Sequence, residues 1–296
     1  MDLNVIFLIC AALLPAIALC IYVFKKDRVE KEPIGLLLGL LALGCLICWP
    51  AAEIETVLSG IIDKIFIPFT YEEEGVVYLS EIAFKAYNAI NNFIGIALVE
   101  EGLKFIALFL ATRNNKNFNS LFDGLIYAVF VSLGFAAFEN VLYVVSYGWT
   151  NALVRAVTAV PGHMFFAVLM GYYYSMWHVC EQAKTMERAL KKRGLVDKNS
   201  KEISGKHHLI CSLLVPVLAH GLYDYCCTSE TVWADIVFYA LLIFLYVYCF
   251  KRIKEMSKGD MEDKRFVAVM VFKKYPHLLE ALRLETEQRM RSQVNS

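Results

Sequence analysis

Long apolar runs recur along this chain and leave it few ways to fold. They cover residues 3–24, 33–52, 89–112, 121–147, 152–178, 208–227 and 232–250. Crossing the ~30 Å hydrocarbon core of a bilayer takes about 20 residues of α-helix. A helix also satisfies its own backbone polar groups there, where no water can. The pattern predicts an all-α, polytopic membrane protein with about seven transmembrane helices. Composition agrees: 58% of residues are hydrophobic and the mean hydropathy is +0.51, more apolar than soluble domains.

The charges between the runs alternate. Lys25, Lys26, Arg28 and Lys31 follow the first run, and Arg113 and Lys116 follow the third. Lys184, Arg188, Lys191, Lys192, Arg193, Lys198, Lys201 and Lys206 follow the fifth, and eleven Lys or Arg follow Phe250. The other connections hold only Lys64, Lys85 and Arg155. The positive-inside rule then places the N-terminus outside and the C-terminus in the cytoplasm, in a multi-pass protein of the cell membrane. The first run has no basic residue ahead of it, so it reads as a retained helix and not a secretory signal. Residues 53–88 form the long outer connection, with an acidic Glu72-Glu73-Glu74 and an amphipathic stretch, 61–69, expected to lie on the outer leaflet. Two units result: a transmembrane unit, 1–250, with its core at 89–250, and a charged cytoplasmic tail, 251–296, broken at Pro276.

Nucleic-acid binding is excluded. The formal net charge is zero, and there is neither a phosphate-binding glycine loop nor a basic face interleaved with aromatics. The nine cysteines lie mostly in apolar runs and read as small buried hydrophobes.

Ionisable residues inside the runs are the functional signal, because such groups are costly in hydrocarbon and mark polar interiors. Glu100 and Glu101, Glu139, His163, and His220 with Asp224 sit on four different runs. Glu100 and Glu101, Glu139, His163 and His220 lie about ten residues from the outer ends of their runs, roughly 15 Å deep at 1.5 Å per residue. They share one layer near mid-membrane. Lys104 follows Glu100 by four residues and Glu101 by three, so either pair meets on one face. Lys104 is expected to hold one carboxylate and leave the other to work. Asp224 follows His220 by four and can orient the imidazole. Asp123, at the inner end of its run, reads as a helix cap.

Carboxylates and imidazoles without a serine or cysteine nucleophile point to activated water. A glutamate can take the proton and the histidines can stabilise an oxyanion. Alternatively Glu139, His163 and His220 can hold Zn²⁺, whose bound water attacks. No H-E-x-x-H motif favours the metal. An ion- or proton-coupled transporter also uses such residues, but it predicts internal repeats, and none is found.

The motifs resemble a known family. Glu100-Glu101-Gly102-Leu103-Lys104 is similar to the E-E-x-x-K motif of the PrsW intramembrane proteases, and Phe135 to Glu139 is similar to their F-x-x-x-E. Pro161-Gly162-His163 and His220 to Asp224 resemble their helix histidine and H-x-x-x-D. The four occur in family order. The resemblance implies an intramembrane endopeptidase with Glu100, Glu101, Glu139, His163, His220 and Asp224 as catalytic residues, supported by Lys104 and Phe135. It implies a single-pass membrane substrate such as an anti-sigma factor, cut first at this site. It leaves open whether catalysis is metal-free or uses zinc.

Overall fold

The computed structural model describes residues 3–28, 30–259 and 263–294. These form helices α1 (Leu3–Lys26), α2 (Ile34–Phe66), α3 (Glu81–Ile90), α4 (Leu98–Thr112), α5 (Leu121–Tyr147), α6 (Trp149–Val157), α7 (Ala159–Lys192), α8 (Lys206–Thr228), α9 (Val232–Lys258), α10 (Asp263–Lys274) and α11 (Pro276–Val294). A single hairpin, β1 (Thr70–Glu73) and β2 (Val76–Leu79), pairs antiparallel with Glu73 opposite Val76.

Among the described residues six helices are long and apolar enough to cross a membrane. The stretch predicted as a third span is not one of them, because Glu100, Glu101 and Lys104 interrupt its hydropathy. It is nevertheless helical throughout: α3 passes through a π-helical segment, Asn91–Ala97, directly into α4. Such π segments shift the face a helix presents and recur at functional sites.

α5 is the centre. Its residues from Phe122 to Ala137 are all buried, which explains why its apolar residues follow no single face. α1, α2 and α7 pack around it, and α8 and α9 flank α7. Two glycines let α2 and α5 touch backbone to backbone. A Cβ on Gly44 would run into Val131 O, and one on Gly134 into Leu41 O. Small residues permit this close approach in membrane helix pairs. The outward faces carry exposed Leu14, Ile17, Leu38, Leu46, Tyr239, Ile243 and Val247, suited to lipid contact.

The outer connection differs from expectation. α2 does not stop at residue 52 but continues to Phe66, through Pro50. Glu53 and Glu55 ended the apolar run, yet glutamate is a good helix former, so polarity changed without a helix stop. Residues 61–69 are therefore the end of α2 and one 3₁₀ turn, not a separate surface helix. The hairpin follows, its turn made by Glu74 and Gly75 with φ of 51° and 77°, the left-handed pair that two-residue hairpins require. The predicted span 152–178 also divides: α6 ends at Val157, and α7 starts at Ala159 and runs on to Lys192.

Asp123 does cap α5 at its N-terminal end. Its Oδ2 accepts from Ser120 N at 2.7 Å and Asn119 N at 2.8 Å. α9 runs without a break past Phe250 to Lys258. α10 then lies on the C-terminal half of α7, where Val267 and Val271 meet Val179 and Ala183. Glu187 accepts from Lys274 Nζ and from Tyr275 OH, each at 2.7 Å. All nine cysteines are free thiols, including the neighbours Cys226 and Cys227.

Candidate active site

The first turns of α4 place Glu100, Glu101 and Lys104 inside the bundle, 5%, 0% and 1% exposed. Lys104 Nζ donates to Glu100 Oε2 at 2.7 Å, Glu101 Oε1 at 2.9 Å and His163 Nδ1 at 3.1 Å. An ammonium has three protons, and three acceptors take them. The lysine therefore holds both glutamates, where sequence spacing suggested one. The ring of Phe135 lies 4.1 Å from Nζ, in cation–π range.

His163 stands one turn into α7, just beyond the break at Thr158. Lysine only donates, so His163 Nδ1 accepts, and Nε2 carries the proton. That Nε2 donates to Glu139 Oε2 at 2.9 Å. Ser132 Oγ on α5 donates to the His163 carbonyl at 2.9 Å and fixes the turn that bears it. The same Glu139 oxygen accepts from Arg155 Nη2 at 2.9 Å. Arg155 Nε donates to Asn140 Oδ1 at 2.9 Å, and Asn140 in turn donates to Ala12 O of α1 at 2.8 Å.

His220, on α8, is held at both nitrogens by carboxylates. Nδ1 faces Glu101 Oε1 at 3.0 Å and Nε2 faces Asp224 Oδ2 at 3.1 Å. Phe166 stacks on its ring at a centroid distance of 4.7 Å. The eight residues expected to form or support the site thus make one connected network drawn from α4, α5, α7 and α8. Glu139 and His220 each lie eight residues before the C-terminal ends of their helices, roughly 12 Å at 1.5 Å per residue.

A cavity of about 470 Å³ runs into this network from the predicted outer side. Glu100, Glu139, His163, His220 and Asp224 line it, whereas Glu101 and Lys104 lie behind its wall. The adjacent glutamates are therefore not equivalent. Glu101 has one oxygen on Lys104 and His220, and its Oε2 is buried without a protein partner. Sequence reasoning missed two charged lining residues, Glu55 of α2 and Arg155 of α6. Glu55 falls in the expected outer connection, and Arg155 lies at the edge of the run 152–178, where it counts with the outer charges. The only signal for Glu55 was its place on a helix that failed to stop. For Arg155 it was its isolation as a cation on the acidic side.

A sequence model described as "PrsW family intramembrane metalloprotease" matches residues 32–250. The chain belongs to the PrsW family. It is 31% identical to Protease PrsW of Geobacillus kaustophilus over 76% of this chain and 82% of that protein. It is 29% identical to Protease PrsW of Bacillus subtilis over 86% of this chain and 97% of that one. The Clostridioides difficile Protease PrsW is 30% identical over 79% and 85%. No solved structure matches the chain. As a PrsW-family member it is a multi-pass membrane protease.

The family description implies a metal, and an ion sets geometric demands on the donors present. Zinc takes carboxylate and imidazole donors about 2.0–2.2 Å from one point. Among the described residues one set of three donors lies within 4.8 Å of one another: Glu100, Glu101 and His163. An atom of each is already bonded to the Lys104 ammonium. The orphaned Glu101 Oε2 offers an ion a single donor. Glu139, His163 and His220, the trio suggested by residue type, are not such a set. Glu139 and His163 bond one another, and His220 turns its nitrogens to Glu101 and Asp224, its ring 5.5 Å from that of His163. The residue types suit zinc, but this arrangement does not fit it.

Proposed function

We propose that this chain hydrolyses a peptide bond of a single-pass membrane protein, with Glu100 as the general base for water. The carrying observation is the asymmetry of the glutamate pair: Glu100 faces the cavity while Glu101 is sealed behind it. Glu100 takes a proton from water as the water oxygen bonds to the scissile carbonyl carbon. The carbonyl π-electrons pass to its oxygen, giving the tetrahedral oxyanion. Arg155 is the one Lys or Arg side chain on the cavity wall. Two of its five N–H donors are used on Glu139 and Asn140, which leaves others for that oxyanion. Protonated Glu100 then gives its proton to the leaving nitrogen as the C–N bond breaks.

The histidines act differently in this scheme from oxyanion donors, since the ring nitrogens of both are engaged. His163 orients Glu139, and His220 with Asp224 holds Glu101 and so Lys104. Electrostatics support Glu100 as base. Four hydrogen-bonded carboxylates, Glu100, Glu101, Glu139 and Asp224, meet three cations, Lys104, Arg155 and a His220 that donates at both nitrogens, so that network carries one surplus negative charge, and Glu55 on the same wall brings no cation to offset it. Accepting the water proton cancels that surplus.

The alternating basic connections support an N-terminus outside and a C-terminus in the cytoplasm of the cell membrane, with the cavity opening outward. An anti-sigma factor, cut at its outer side before further proteolysis, suits that geometry. The test is co-expression with a single-span anti-sigma reporter, measuring its cleavage in membranes. Alanine at Glu100, Glu101, Glu139, His163 or His220 is expected to stop cleavage, and full activity in all five variants would sink the proposal.

A further inference from the structure

The family's description names a metal, and the ligand-like donors of this chain surround an amine instead. We infer that the Lys104 ammonium supplies the fixed positive charge that a metal would otherwise bring, and that this protein cuts without an ion. The inference rests on the proteolytic reading above, and it concerns what stands among Glu100, Glu101 and His163.

Three observations carry it. First, each ammonium proton has its own acceptor, at 2.7, 2.9 and 3.1 Å, so the lysine is satisfied by the donors that an ion would claim. Second, Lys104 has nowhere solvated to go. It is 1% exposed, and Phe135 lies against its ammonium. A buried amine that lost these acceptors would be an unpaired charge in a low-dielectric interior, which is strongly disfavoured. A doubly charged ion among the same atoms would also face the ammonium at contact range. Third, these residues make up the one three-donor set among those described. An ion displaced by the lysine has no second cage nearby.

The chemistry follows from the position. Lys104 lies outside the cavity, so it does not touch substrate or water. It is a positioning residue: it fixes the Glu100 carboxylate from behind and leaves the cavity side free to take a proton. The converse also follows. Without the ammonium, the two carboxylates and the imidazole become a vacant set with zinc-like donors.

The experiment uses the full chain in lipid nanodiscs, assayed for metal content and for reporter cleavage before and after a strong zinc chelator. Wild type and Lys104→Arg should hold far less than one zinc per chain, and wild-type cleavage should change by less than about twofold on chelation. Lys104→Met should instead take up cobalt(II), used as the probe, with the visible absorption of a tetrahedral site. That absorption should vanish in Lys104→Met combined with His163→Ala. One zinc per wild-type chain, with cleavage lost on chelation and regained with zinc, would overturn the inference. So would a folded Lys104→Met that takes up no cobalt. If Lys104→Met fails to fold, the wild-type arms still decide. A metal-free wild type that cuts no reporter would fail the proteolytic reading, while the cobalt arm still reports on Lys104.

Discussion

Glutamine and alanine at the two adjacent glutamates should separate chemistry from support. Glu101 is fully buried, and its Oε1 accepts from both Lys104 and His220, at 2.9 and 3.0 Å. Glu101→Ala strips two buried cationic groups of a shared partner, and breaking a buried pair costs about 3–5 kcal/mol. At roughly 2–4 °C per kcal/mol for a chain of this class, the unfolding midpoint in detergent should fall by roughly 6–20 °C. Glu100→Gln is different. Its amide oxygen can still accept from Lys104, the shape is kept, and the midpoint should move by only a few degrees. What it loses is the base, which is worth about 10²–10⁴-fold in rate. The assay pairs thermal unfolding with single-turnover cleavage of a one-span reporter, so that stability and chemistry are read on the same preparation. A Glu100→Gln protein that cuts at the wild-type rate would refute the assignment. So would a Glu101→Gln protein that stays fully stable yet is inert.

Three further outcomes follow from the geometry. Arg155→Ala should lower kcat by about 10²-fold with little change in KM, as expected for loss of an oxyanion donor, and Arg155→Lys should recover part of it; a change confined to KM would assign Arg155 to binding alone. Gly44→Ala should destabilise the α2–α5 contact by about 1–3 kcal/mol through overpacking, because its Cβ meets the Val131 backbone, whereas Gly39→Ala on the same helix meets nothing within 4 Å and should be tolerated. At the N-terminal entrance to α2, burial, with the nearby Asp123 and Asp27 carboxylates, pushes Glu32 up from 4.5 to about 8, although Tyr127 OH donates to it at 2.7 Å. The folded chain thus holds this proton more tightly than the unfolded one. The stabilisation it brings is complete below pH 4.5 and lost as pH rises through about 8. Melting curves across that range should slope downward in wild type and flatten in Glu32→Gln, and equal slopes would refute the linkage.

The amino-acid sequence alone was enough to establish a helical membrane protein and to group most of the ionisable residues of its polar site. Hydrocarbon forbids unsatisfied backbone and penalises charge, so apolar runs must be helices and charges within them must meet. Glu100, Glu101, Glu139, His163 and His220 could be grouped by depth, because depth along a helix is linear in residue number, and Asp224 joined them by its i, i+4 spacing from His220. Rotation about the helix and the approach of distant segments are not linear in the sequence, and there tertiary structure decided. The π segment at Asn91–Ala97 precedes the turn that gives Glu100 to the cavity and Glu101 to the interior. The break at Thr158 turns α6 so that Arg155 reaches Glu139, and the unbroken run of α2 past residue 52 brings Glu55 to the same wall. The place of Lys104 was decided likewise. Its spacing showed that either carboxylate was within reach, but only the packing of α7 against α4 supplied His163 as the third acceptor and enclosed the amine among donors that otherwise suit a metal.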